Sequence, residues 1–174
     1  MNNTLYVVLG AALLVLVWFL PRIRRRARRW GNDVGTKAGQ KFADNRLPGA
    51  LAGLGATLVL ETNQESAAQV VSAAAATKPK RFRSETPGLV TAKFVEADDV
   101  RVRLVPAGSG TQLQVESFRD YMQFPQGLRE WEDLQQRVTA AAQAAGVPVR
   151  PGGVVTYERT QQLDASNWRW TRTD

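Results

Sequence analysis

Thr4 to Leu20, TLYVVLGAALLVLVWFL, is a run of 17 residues without a charge, and it passes straight into Arg22, Arg24, Arg25, Arg26, Arg28 and Arg29. A helix of that length is about 25 Å long at 1.5 Å per residue, the short end of what crosses a bilayer core of about 30 Å. Trp18 and Trp30 bracket the arginines as interfacial aromatic residues do, and Pro21 falls where a helix would leave hydrocarbon. A cleaved signal peptide needs a basic leading region and a small-residue cleavage site. Met1-Asn2-Asn3 is uncharged and the run ends in Phe19-Leu20-Pro21-Arg22, so the segment reads as a single-pass transmembrane anchor. Flanks rich in Lys and Arg stay cytoplasmic, which places the N-terminus outside and residues 22–174 inside. Trp18, the six arginines and Trp30 form the membrane-interface set, with membrane lipids as the first partner.

The net charge of +7 is misleading until it is located. Residues 1–50 hold nine basic and two acidic side chains, and so carry all of it. Residues 51–174 hold 14 of each and are formally neutral, which argues against nucleic acid as a partner. The absence of Cys and His removes disulfides, thiolate nucleophiles, zinc sites built on those ligands and Ser-His-Asp triads. No cofactor and no metal site is expected, and catalysis would have to use carboxylates, lysines, tyrosines or hydroxyls. Abundant Ala and Arg with few Lys suggest a GC-rich bacterial genome, hence a bacterial plasma membrane.

The chain divides into the anchor (1–21), a basic juxtamembrane segment and tether (22–48), an α+β domain (49–147) and a C-terminal tail (148–174). The tether, rich in glycine and polar residues, predicts a short helix around Thr36 to Asn45. Within the domain, ATLVLE (Ala56–Glu61) reads as a strand. Thr62 and Glu65 have capping-box spacing before a helix over 63–77, whose Ala67, Val70, Val71 and Ala74 share a face. Alternation then predicts three antiparallel strands, around Val90–Phe94, Val100–Leu104 and Leu113–Val115, with another near Arg81–Glu85. A helix over 126–145 carries Leu128, Trp131, Leu134, Val138 and Ala145 as one stripe, and Gly146 and Pro148 end it. In the tail, Val154–Arg159 reads as an edge strand, and Trp168 and Trp170 are large rings that must dock or stay exposed.

LETNQESAAQVVSAAA (60–75) and RVRLVPAGSGTQLQVE (101–116), in the order strand, helix, antiparallel strands and long C-terminal helix, resemble the START-like helix-grip (SRPBCC, polyketide cyclase-like) superfamily over about residues 55–146. The resemblance implies a curved sheet gripping the last helix, and a cavity for lipids, polyketides or other hydrophobic small molecules. Val90, Ala92, Phe94, Val102, Leu104, Leu113, Val115, Trp131, Leu134 and Val138 would line that cavity, or simply fill a core. An enzyme of this type would need an inward ionisable group, for which Tyr121 and Glu116 are the candidates. Among the remaining features, Asp98-Asp99 is too sparse for a calcium site and reads as a turn. Glu130, Glu132 and Asp133 complement the positive end of a helix, and Gly108-Ser109-Gly110-Thr111 lacks the Lys of a phosphate loop.

The resulting expectation is a non-catalytic membrane protein whose cytoplasmic domain serves as an accessory subunit of another membrane protein or complex. Hydrophobic-ligand binding or cyclase-like activity is the alternative. Deleting Met1–Trp30 is expected to abolish sedimentation with lipid vesicles. Protease added outside intact cells is expected to leave the C-terminal domain undigested, and its digestion would reverse the topology.

Overall fold

A computed structural model of the protein describes residues 46–173. The anchor, the interface set from Trp18 to Trp30 and the helix expected at 36–45 lie outside the described residues. Among those described, no helix is long and apolar enough to cross a membrane.

The fold is α+β, with three helices and an antiparallel sheet. Helix α1 (residues 46–55) leads into β1 (Ala56–Leu60), then α2 (Gln64–Ala76), β2 (Phe82–Thr86), β3 (Leu89–Ala92), β4 (Val100–Ala107), β5 (Gly110–Tyr121), β6 (Phe124–Pro125) and α3 (Leu128–Ala144). Strands β7 (Val149–Val154), β8 (Thr156–Gln162) and β9 (Trp168–Thr173) follow. The sheet runs β2-β3-β4-β5-β1-β7, and β9 continues beside β5 beyond β1, with β8 on its outer side. β5 can serve two neighbours on one edge because it is twelve residues long, about 40 Å at 3.4 Å per residue. Leu113 to Thr111 pair with β1, while Ser117 to Arg119 pair with β9.

The two faces of the sheet have different fates. Val90, Val102 and Val115 lie side by side in register, as do Leu104, Leu113 and Leu58, and these rows with Val100 and Phe118 pack against the helices. α3 contributes Trp131, Leu134, Val138 and Ala142; α2 contributes Ala67, Val70, Val71, Ala74 and Ala75. Trp131 Nε1 and Gln135 Nε2 both donate to the carbonyl of Ala56, at 3.1 and 3.2 Å, which pins α3 over the start of β1. The left-handed Gly127 (φ 91°) begins α3, and a β-carbon there would strike Val100.

Four local expectations change. The cap of α2 is Asn63, whose Oδ1 accepts from Ser66 N at 2.9 Å, so the cap lies one residue after Thr62 and the helix starts at Gln64. The structured region begins before residue 49: α1 places Leu47, Ala50, Leu51 and Leu54 against the core despite Pro48 and three glycines. Residues 149–173 are not a tail with one edge strand but three strands of the sheet. Tyr157 locks them in by donating to the carbonyls of Leu54 and Val115. Finally, β3 stops at Ala92 and not at Phe94, because the Asp99 carboxylate accepts from the amides of Phe94, Val95 and Glu96 at 3.2, 2.5 and 2.7 Å. That capture curls the chain off the sheet.

At the β4–β5 hairpin a β-carbon on Gly110 would lie 2.6 Å from the Leu60 carbonyl oxygen. Gly110→Ala is therefore expected to cost about 2 kcal/mol in chemical denaturation, as overpacking against backbone does.

Candidate functional site

The side chains marked for a cavity are mostly core. Val102, Leu113, Val115, Trp131, Leu134 and Val138 expose 0% of their surface, and Val90 and Leu104 almost none. A side chain lining a void large enough for water would keep some surface accessible to it, so these residues are packed against one another. Phe94 departs from the set: it is 48% exposed because it lies past the end of β3, in the loop that Asp99 captures.

The ionisable candidates have structural partners. Glu116 faces Arg103 at 2.8 Å and Arg101 at 3.9 Å on the side of the sheet away from the helices. Glu130 accepts from Arg81 at 2.7 Å, and Asp133 sits between Lys78 and Arg137, both at 2.9 Å. Burial works against the Asp133 charge, but its bond to Lys78 and the charge of Arg137 hold its pKa below the usual carboxylate value. Thr111, in the Gly-Ser-Gly-Thr stretch, donates to the carbonyl of Thr62 at 2.9 Å and continues as strand. Among the described residues no cluster of three acidic side chains has the arrangement to hold a metal ion.

Trp168 and Trp170 are docked. Trp170 stacks on Phe118 with centroids 5.8 Å apart, and Arg159 lies 4.9 Å above its ring. Its Nε1 donates to the fully buried Asp120 at 3.0 Å, and the same carboxylate accepts from the Trp168 amide.

What remains outward is a tip at one end of the sheet. Of the four exposed large apolar side chains among the described residues, three lie there: Phe94, Val95 (50%) and Met122 (86%). Two loops build it. In the first, Asp99 gathers the 94–96 amides. Its other oxygen accepts from Tyr121 Oη at 2.6 Å, and the Phe94 and Tyr121 rings are 6.0 Å apart, so the loop is tied to the end of β5. In the second, the β5–β6 turn holds Met122 and Gln123 at φ 55° and 66°, left-handed values that cost a side-chain-bearing residue on the order of 1 kcal/mol or more each. The turn is clamped from the C-terminal strands. Asn167 Oδ1 accepts from Met122 N at 2.8 Å, Arg159 donates to the Gln123 carbonyl at 3.2 Å, and Asp164 fixes Asn167 at 2.7 Å. The fold thus maintains both backbone strain and exposed apolar surface at one place. Sequence reasoning placed Phe94 in a strand and did not mark Val95 or Met122; their clustering depends on which amides Asp99 and Asn167 bind, and no periodicity encodes that.

An open groove of about 820 Å³ runs elsewhere, between α2 and β2, lined by Gln64, Glu65, Ala68, Gln69, Ser72 and Ser84 to Pro87. Its lining mixes apolar surface with polar groups, and Glu65 and Glu85 are its ionisable side chains. No protein-family model, curated protein or solved structure matches the chain, so function rests on the site's own chemistry.

Burial and the neighbouring Asp99 push the Tyr121 phenol up to about 12. A raised pKa contributes stability that is complete below the unfolded value of about 10 and is lost as pH rises toward 12. Asp99→Asn is expected to lower the pH of the Tyr121-dependent absorbance change, identified by its loss in Tyr121→Phe. Asp98 has the opposite sign: burial raises it, yet Arg169 and Arg119 hold it below its usual value. Its contribution is therefore present above about pH 4 and fades on acidification.

Proposed function

We propose that the protein is a non-catalytic, single-pass protein of a bacterial plasma membrane, with a START-like cytoplasmic domain that serves as an accessory subunit of a membrane complex. The observation that carries the reading is the tip. Phe94, Val95 and Met122 stay exposed on two loops fixed by Asp99, Tyr121, Asn167 and Arg159. Exposed apolar groups on a clamped, strained backbone add little to the stability of the isolated domain, and they match what a protein interface needs at its centre: aliphatic and aromatic anchors whose supporting backbone is already in place. The completely buried core side chains support the same choice, since a hydrophobic-ligand module or a cyclase requires a cavity next to them. Support for the helix-grip description comes from β1 closing against β5, the last long strand before α3, and from α3 lying on the sheet.

Affinity purification of the full chain in mild detergent, followed by mass spectrometry of proteins and lipids, tests this reading. The expected result is a stoichiometric membrane protein that is lost at least tenfold with Phe94→Ser/Met122→Ser, while the unfolding midpoint stays within a few degrees. A stoichiometric lipid with no partner protein would overturn it.

A further inference from the structure

The sheet face opposite the helices carries no element of its own among the described residues, and it has a distinct charge pattern. The strand registers place six arginines there. Arg83 and Arg101 flank Thr91, Arg103 sits beside Gln114, Arg150 beside Val59, and Arg119 beside Arg169. Four carboxylates share the face: Glu61, Asp98, Glu116 and Glu158. Residues 46–173 hold 15 basic and 13 acidic side chains. With the buried Asp99, whose carboxylate lies 3.9 Å from Arg119 Nε, the face keeps a net excess of one positive charge.

The pairing on this face is incomplete in a specific way. Two of the carboxylates are each divided between two arginines: Glu116 between Arg101 and Arg103, and Asp98 between Arg119 and Arg169. The Glu116 trio keeps one positive charge, whereas Asp99 beside Arg119 offsets that of the Asp98 trio. Within them the Nε atoms of Arg101 and Arg119 are shielded from solvent and donate no hydrogen bond, with the carboxylate oxygens nearest to them among their ion pairs at 3.9 Å. A shielded donor without an acceptor is costly, while the exposed N–H groups of the arginines on this face, Arg103 at 50% and Arg101 at 36%, are within reach of oxygen-rich anions. Thr57, Val59, Thr91, Gln114 and Ser117 are nearly inaccessible beneath them although no helix covers that side. The arginine and glutamine stems lie across the strands and leave a flat, guanidinium-bearing surface.

We infer that this arginine-bearing sheet face docks on the anionic phospholipid headgroups of the bilayer surface. The inference rests on the proposed anchor only for proximity: the 25 residues from Pro21 to Asn45 reach at most about 90 Å, which keeps the domain within range of the leaflet. Headgroup phosphates supply oxygens to the solvent-facing N–H groups of the exposed arginines, and a planar array of them matches a planar sheet. Each exposed arginine at such a surface strengthens binding about fivefold.

The absence of native cysteine allows a single fluorophore to be placed at will. The full chain, labelled at Gln161→Cys on this face or at Gln136→Cys on α3, is reconstituted into nanodiscs of neutral phosphatidylcholine, with or without about one-third phosphatidylglycerol, carrying a headgroup quencher. Quenching at 161 is expected to rise severalfold with the anionic lipid, to vanish in 0.5 M salt as screened electrostatics does, and to fall more than tenfold in affinity terms with Arg103→Gln/Arg150→Gln. Lys80→Gln/Arg129→Gln, outside the face, should leave it unchanged. Equal quenching at both labels, no dependence on anionic lipid, or equal loss in the control pair overturns the inference; the second of these leaves the face to an acidic protein surface. Failure of the chain to enter nanodiscs sinks the anchor reading separately, and flotation of the same chain with anionic vesicles then decides the docking face by itself.

Discussion

The structure depends on the length of β5. A five- or six-residue strand has one neighbour per edge, whereas the twelve residues from Gly110 to Tyr121 pair with β4 along one side and with β1 and then β9 along the other. Its inward side chains Leu113, Val115 and Phe118 meet the helices at every turn of the core. The same strand ends in Asp120 and Tyr121, which organise the two loops of the tip. Core, second sheet half and tip are thus consequences of one uninterrupted strand, and a register slip in it would turn every one of these side chains to the wrong face.

Carboxylates do the fine positioning, in three different ways. Asp99 collects backbone amides and redirects the chain after β3. Asp120, without access to solvent, receives an indole and an amide and so fixes β9 to β5. Asp98 is shared by two arginines and ties the loop after β3 to β5 and β9 on the outer face. Each accepts from at least two donors, and each ties together segments distant from one another along the chain.

How much of this could be read from the residues depends on what each signal reports. Helical periodicity gave α2 and α3 to within two residues, because Val70, Val71 and Ala74, and Trp131, Leu134 and Val138, repeat at the spacing of a buried stripe. Alternation gave β4 and the start of β5 for the same reason. The C-terminal strands were mostly missed: β7 and β8 form an exposed edge carrying Pro151, Gly152, Gly153 and a run of polar residues, and edge positions have no inward alternation to betray them. Helix α1 was masked by its glycines and Pro48, although Leu47, Leu51 and Leu54 have the spacing of a packed face. The tip was illegible because it arises from side-chain-to-backbone bonds over three to five residues and from pairing with Asn167, 45 residues away.

Strand β1 lies between β5 and β7, and its Ala56 faces Val154 across the sheet. A polypeptide is made from its N-terminus, so β1 emerges about a hundred positions before its second neighbour exists and at least fifty before its first. Until then its Leu58, Val59 and Leu60 have no place to bury. Loop closure over such separations is entropically slow, and the domain becomes complete only when its final residues arrive. During synthesis the earliest strand of this design has only the helical cover of α2 for shelter, and truncation before Val149 would leave it permanently half paired.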